Sequence, residues 1–107
     1  MADEFARIAR IAGVLGSLPR GAEIETSIGD DAAVLRIDGA LVWTIDQQVE
    51  GVHFRREWLD DQDVGYRATV AAVSDVLAMG ATPIAALAAW TLPDAVAEAT
   101  IDAIAEG

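Results

Sequence analysis

Residues 68–79, Ala-Thr-Val-Ala-Ala-Val-Ser-Asp-Val-Leu-Ala-Met, are apolar nearly all round and carry one charge, Asp75. The run is too long for an ordinary strand and rich in alanine, so it predicts a buried helix. Extended back to Asp63, that helix covers 63–79 and stops at Gly80. A buried helix needs layers to cover it, and the rest of the chain is read for them. Residues 2–15 place Phe5, Ile8, Ile11, Ala12 and Leu15 at helical spacing, with Gly16 and Pro19 beyond. Residues 20–30 read as a polar loop. Residues 32–37 and 41–46 are strand-like and joined by Asp38-Gly39, a good hairpin dipeptide. Residues 48–54 are a possible third extended piece, and 55–61 a loop. Residues 82–92 read as a strand with Pro83 at its start. Residues 94–106 read as a last helix capped by Asp94. The expected class is α/β, an α+β sandwich with a small, mostly antiparallel sheet and helices on one face.

The acids sit where a sandwich has little use for them. An ionised carboxylate on a buried helix costs several kcal/mol unless paired, protonated or metal-bound. Asp75 therefore pairs with an arginine such as Arg67, caps a loop, or holds a metal. Asp46 ends the apolar segment 41–46, while Asp30 and Asp31 open the partner strand. In an antiparallel pair the start of one strand lies beside the end of the next. Asp30, Asp31 and Asp46 are thus expected to meet. Clustered carboxylates repel, and a divalent cation neutralises them. Oxygen ligands with no cysteine and one histidine favour Mg²⁺ over Zn²⁺. Magnesium held by a few carboxylates usually also binds substrate phosphates, which points to a phosphate-handling enzyme. His53, the one histidine, follows Asp46 by seven residues. It is either a structural hydrogen-bonder or a substrate contact.

Composition removes other classes. The net charge is −11, with seven arginines and no lysine. That is no footprint for nucleic acid, and it excludes a Walker-type lysine or a Schiff base. No cysteine is present, so disulfides and thiolate sites are excluded. No apolar run approaches the ~20 residues that span a bilayer. MADEFARIAR mixes acids with arginines and is no signal peptide. A cytoplasmic chain without membrane or nucleic-acid partners is expected. The 107 residues make one domain.

Three segments, "SIGDDAAVL", "TIDQQVEGVHF" and "VSDVLAMGATP", in this order and spacing, closely resemble the N-terminal domain of the thiamine-monophosphate kinase family. That family belongs to the aminoimidazole ribonucleotide synthetase and selenophosphate synthetase superfamily. The resemblance runs from about Phe5 to Pro93. It implies an ATP- and Mg²⁺-dependent phosphotransferase that makes thiamine diphosphate from thiamine monophosphate, with no Walker loop. Carried over, Asp30, Asp31, Asp46 and Asp75 match the metal-binding acids. Thr44 and Ile45 match the positions just before the second acid that also contact metal. His53 matches a substrate-contacting histidine, and no separate catalytic residue is implied. The resemblance also implies a homodimer whose sheets pair into a barrel, and a longer chain of which residues 1–107 are the N-terminal domain, inactive alone. The family usually reads Thr-Thr-Asp-Thr where this chain has Thr44-Ile45-Asp46-Gln47, and often has asparagine where it has Ala72. Two other readings stand beside this one: a superfamily enzyme with a different substrate, and a non-catalytic acidic dimerisation module.

Overall fold

The computed structural model describes residues 3–107. Asp3 begins the first helix, α1 (Glu4–Leu15), by accepting the Phe5 N–H on its carboxylate at 3.0 Å. An oxygen-bearing side chain there satisfies a donor the helix cannot. Asp60 does the same for α2 (Asp61–Ala78), accepting from Asp63 N–H at 2.8 Å. At the other end of α2, Gly80 has φ +72°, and the Ala81 N–H folds back to the Val76 carbonyl. Glycine takes that conformation without steric cost. The expected helix over 63–79 is thus present, begun two residues earlier. The third helix, α3 (Glu98–Glu106), starts four residues later than expected. Its N-cap is Ala97, with no side-chain hydrogen bond, and Asp94 lies in the turn before it.

α3 is the hub. α1 and α2 both pack on it and not on each other. Ile101, 2% exposed, is the fully buried apolar residue of the described chain. Gly65 of α2 is also buried, and a Cβ there would collide with the Ile104 carbonyl oxygen. The two helix backbones touch because this residue has no side chain. On α1 the half-buried face carries Arg7, Arg10, Ile11, Ala12 and Val14, while Phe5, Ile8 and Leu15 are exposed. Ile11 and Ala12 of the expected apolar stripe thus lie on this face, and the two arginines share it with them. Arg10 grips Asp102 with Nε at 2.6 Å and Nη2 at 2.8 Å, and reaches Glu98 at 3.1 Å. Arg7 donates to the carbonyls of Pro93 and Asp94. The fork on Asp102 holds the Arg10 guanidinium above the ordinary arginine range, with Coulomb attraction from Asp102 and Glu98 adding to it.

The sheet is smaller than expected. β1 (Ile24–Thr26) pairs antiparallel with β2 (Val34–Leu35). Thus the expected loop over 20–30 supplies a strand, and 41–46 does not pair with 32–37. Ile24 faces Leu35 and Thr26 faces Val34, so Glu25 is an extra residue on its strand, a bulge-like irregularity. Arg20 satisfies the displaced carbonyls by donating to Ile24 and Glu25, and Arg36 holds the Glu25 carboxylate from the other strand. These two arginines explain why the pairing falls here. Gly39 does turn the chain, with φ +87°, but residues 41–49 then run without strand or helix, as do 81–93. Residues 48–54 form a turn rather than a third strand, closed by the Glu50–Phe54 bridge. The helices pack on each other and not on the sheet. The class is a small α/β fold with three helices and a two-stranded antiparallel sheet. The radius of gyration, 14.7 Å, exceeds the roughly 13 Å of a compact 100-residue chain, as the unpaired stretches require.

Candidate functional site

Asp30 and Asp31 stand where the chain turns from β1 toward β2. The Asp31 N–H donates to the Asp30 carboxylate at 2.8 Å, leaving the second oxygen of Asp30 uncommitted. Asp30 lines an open hollow of about 330 Å³ with Arg20, Glu25, Thr26, Ser27, Ile28 and Gly29. Arg20 was absent from the sequence-derived site. A cation in a polar loop gives no sign of its target, and here its donors are held by two carbonyls.

Asp46 repeats the local pattern of Asp30. It accepts the Gln47 N–H at 2.9 Å on one oxygen. A carboxylate that accepts its neighbour's N–H is held in one orientation, with its other oxygen free. Residues 41–46 alternate in burial: Val42 and Thr44 are half-buried, while Leu41, Trp43 and Ile45 are exposed. Thr44 therefore faces α2, and its hydroxyl lies 3.5 Å from the Asp75 carboxylate. Asp75 continues the half-buried row of Ala68, Ala71 and Ala72 by helical spacing, yet is itself exposed. This corrects the expectation of a buried acid: α2 is covered by α3 over its first half only, around Gly65. Arg67 is no partner to Asp75, since it donates to the Gln48 side chain at 3.3 Å. Thr44 and Asp75 line a second hollow of about 560 Å³ with Leu41, Val42, Trp43, Ala78 and Met79. Ile45, 89% exposed, presents an apolar side chain beside Asp46 and can offer a cation only its carbonyl oxygen.

Asp30 and Asp75 thus line different hollows. Among the described residues no three acids or histidines converge to hold a metal ion. The donors nonetheless suit a hard divalent cation in kind: carboxylate oxygens, a hydroxyl and a carbonyl, with no sulfur. His53 makes one side-chain hydrogen bond. It accepts the Val49 N–H on Nδ1 at 2.9 Å within the 49–54 turn.

Residues 29–107, from the glycine before Asp30 through α3, match the family model described as AIR synthase related protein, N-terminal domain. The chain belongs to that family. Its relatives sharpen the assignment. It is 34% identical over 86 residues to the thiamine-monophosphate kinase of Bacillus subtilis, covering 78% of this chain and 26% of that one. To the thiamine-monophosphate kinase of Rhodopirellula baltica it is 39% identical over 80 residues, 66% of this chain and 25% of the relative. To that of Corynebacterium glutamicum it is 44% identical over 68 residues, 61% and 20%. The chain spans about a quarter of the length of these curated relatives. No solved structure matches it significantly. No described helix is long and apolar enough to cross a membrane.

Proposed function

We propose that this chain is the N-terminal domain of a kinase that transfers the γ-phosphoryl group of ATP to thiamine monophosphate, with Mg²⁺, in the cytoplasm. The observation that carries the reading is the similarity to thiamine-monophosphate kinases over 86 residues, with the motifs of Asp30, Asp46 and Asp75 in the family's order. Asp30, Asp31, Asp46 and Asp75, with the Thr44 hydroxyl and the Ile45 carbonyl, would hold Mg²⁺, and His53 would touch the substrate. The metal supplies charge neutralisation between two anionic phosphates. The chain's own part is to position: carboxylates fixed by their neighbours' N–H groups, and a threonine holding Asp75 from the facing segment. Positioning is worth roughly 7–11 kcal/mol of a barrier only when both reactants are held. The domain supplies one wall, so residues 1–107 alone should turn over near background. The exposed apolar side of residues 41–45 and the unpaired 81–93 stretch support a homodimer whose sheets complete each other. Nucleic acid and membrane are not among its partners.

The test adds the remainder of the parent reading frame and assays thiamine diphosphate from ATP and thiamine monophosphate. Activity that appears with the longer chain and disappears with Asp46→Asn supports the reading. Product from another phosphate acceptor, with none from thiamine monophosphate, would place the chain with a different superfamily enzyme. Absence of any Mg²⁺ or nucleotide binding would make it a dimerisation module, the reading favoured by Ile45 and Gln47. Sedimentation at micromolar concentration should give twice the 11.2 kDa chain mass. A monomer there counts against the paired sheets.

A further inference from the structure

We infer that Asp38 is a site of spontaneous covalent modification. In the folded chain its side chain cyclises with the Gly39 nitrogen and reopens as isoaspartate, and the aged chain is then a substrate for a carboxyl methyltransferase that acts on isoaspartyl residues. The inference is independent of the function proposed above.

The sequence holds no asparagine, and Asp38 is the one aspartate followed by glycine. Ring closure requires the next residue's nitrogen to reach the side-chain carboxyl carbon, and a Cβ on that next residue stands in the way. Glycine has none. The structure adds that the dipeptide is unrestrained. A hairpin would fix Asp38-Gly39 between paired strands, but here β2 ends at Leu35 and no strand follows through residue 49. Asp38 and Gly39 are both exposed. Among the described residues, the Gly39 N–H donates to no backbone carbonyl, and the Asp38 carboxylate forms no ion pair. Gly39 has φ +87°, and a Cβ built there would meet nothing within 4 Å. The turn has room to rotate. Other aspartates are held. Asp61, Asp63, Asp75 and Asp102 lie in helices, whose ladder fixes the backbone. Asp31 and Asp94 lie outside helices, and each precedes an alanine.

The reaction balances with water alone. The Gly39 nitrogen attacks Asp38 Cγ and a C–N bond forms. One carboxyl oxygen leaves as water, taking the amide proton and a proton from the carboxyl group or solvent. The product is a succinimide. Water then adds to one of its two carbonyl carbons, and that carbon's bond to nitrogen breaks. Addition at Cγ restores aspartate. Addition at the former main-chain carbonyl leaves Gly39 joined through Cγ, with the α-carboxylate free. Nothing is oxidised or reduced, and the final mass is unchanged. The main chain gains one methylene. It enters after Arg36, which closes the β1–β2 pair through Glu23 and Glu25, and before the segment that brings Thr44 to Asp75. The strand pair therefore keeps its geometry, and the segment beyond the turn is the part that shifts.

The test incubates the purified chain in warm neutral buffer. Isoaspartate is counted with an isoaspartyl methyltransferase and labelled S-adenosylmethionine. Trypsin releases residues 37–55, in which electron-transfer fragmentation separates a change at Asp38 from one at Asp46. Methyl acceptance should grow with time and map to residue 38. The folded chain should react within about threefold of the urea-unfolded chain, as for a segment whose local opening is nearly free. Asp38→Glu should abolish the signal at residue 38, since its ring would be larger and slower to close. Asp38→Asn preserves the turn and should react faster, because a neutral amide is a better electrophile than a carboxylate. Gly39→Ala should slow the reaction about tenfold or more. In the aged chain, amide signals of residues 39–44 should move while those of Ile24 and Leu35 stay in place. Isoaspartate that maps elsewhere, methyl acceptance seen only in urea, or an unchanged rate in Gly39→Ala overturns the inference. So does an asparagine at position 38 that outlasts the wild-type aspartate, or an aged chain whose β1–β2 signals move instead.

Discussion

The helices and the stretches 41–49 and 81–93 solve the same problem with unequal success. Each is rich in apolar residues. The helices meet their backbone hydrogen bonds internally and then find one another through α3. The extended stretches cannot, because a strand's N–H and C=O groups need a second strand. The burial pattern records the difference. In α2 the half-buried row of Asp61, Val64, Ala68, Ala71 and Ala72 follows the helical period and faces a neighbour at one end. In residues 41–45 the period is two, yet the larger apolar side chains are the outward ones: Trp43 is 73% exposed and Ile45 89%. Helices here are complete as local objects, and the extended half has its chemistry but not its partner.

The contrast can be broken most sharply at Ile101. Ile101→Ala should cost about 2–5 kcal/mol, read as a lower urea midpoint at unchanged slope. Ile45→Ala should move stability by no more than about 0.5 kcal/mol. Equal losses at the two sites would mean that the extended half carries as much of the fold as the helices. Next comes Gly65→Ala, for which we expect a loss of about 1–3 kcal/mol from forced separation of α2 and α3, despite the better helix propensity of alanine. A more stable variant would show that the helices can part without cost. Asp46→Asn and Asp75→Asn sharpen the comparison from the extended side. Each should weaken Mg²⁺ binding by about tenfold or more in titration calorimetry, by analogy with lost metal-site partners. Neither should lower the stability of the metal-free chain. If one does, that acid is a structural partner. The smallest effect is expected for Arg36→Ala, about 0.2–1 kcal/mol, since the Arg36–Glu25 pair lies in water.

The Arg10 clamp should be insensitive to pH from the arginine side. Its pKa is raised by Asp102, so the stabilisation is complete below the unfolded value and is lost only as pH climbs through the folded one. That window lies in strong alkali, and the guanidinium stays charged throughout the range in which enzymes are assayed.

What could be read in advance followed the same divide. Gly80 and the apolar period before it delimit α2 within two residues, because helix termination is local chemistry, while the Asp60 cap lies in a segment that reads as loop. The strand pairing depended on which partner each segment found, and Arg20 and Arg36, whose targets lie outside their own segments, decided it. The Asp38-Gly39 turn formed, yet no ladder followed, since a turn brings two segments near without matching them. The face of α1 is legible in part for a related reason. Ile11 and Ala12 of its apolar stripe are half-buried, but Arg10 meets two acids on a helix about ninety residues on, which no local pattern shows. The candidate site was legible as residue types and order. Its assembly was not, because Asp30, Asp46 and Asp75 hang on segments whose mutual placement no local rule determines.

That α3 alone joins the other helices has a consequence for the order of events in synthesis. α1 emerges first and α2 in the middle, and neither has a helical neighbour until residues 98–106 are made. The Arg10–Asp102 bond closes a separation of 92 residues, and an entropic cost of this kind grows only as the logarithm of the length. The delay is therefore a matter of time more than of stability. A nascent chain stalled before Glu98 should hold helices that flicker without docking, and the step that commits the domain should come with its last helix.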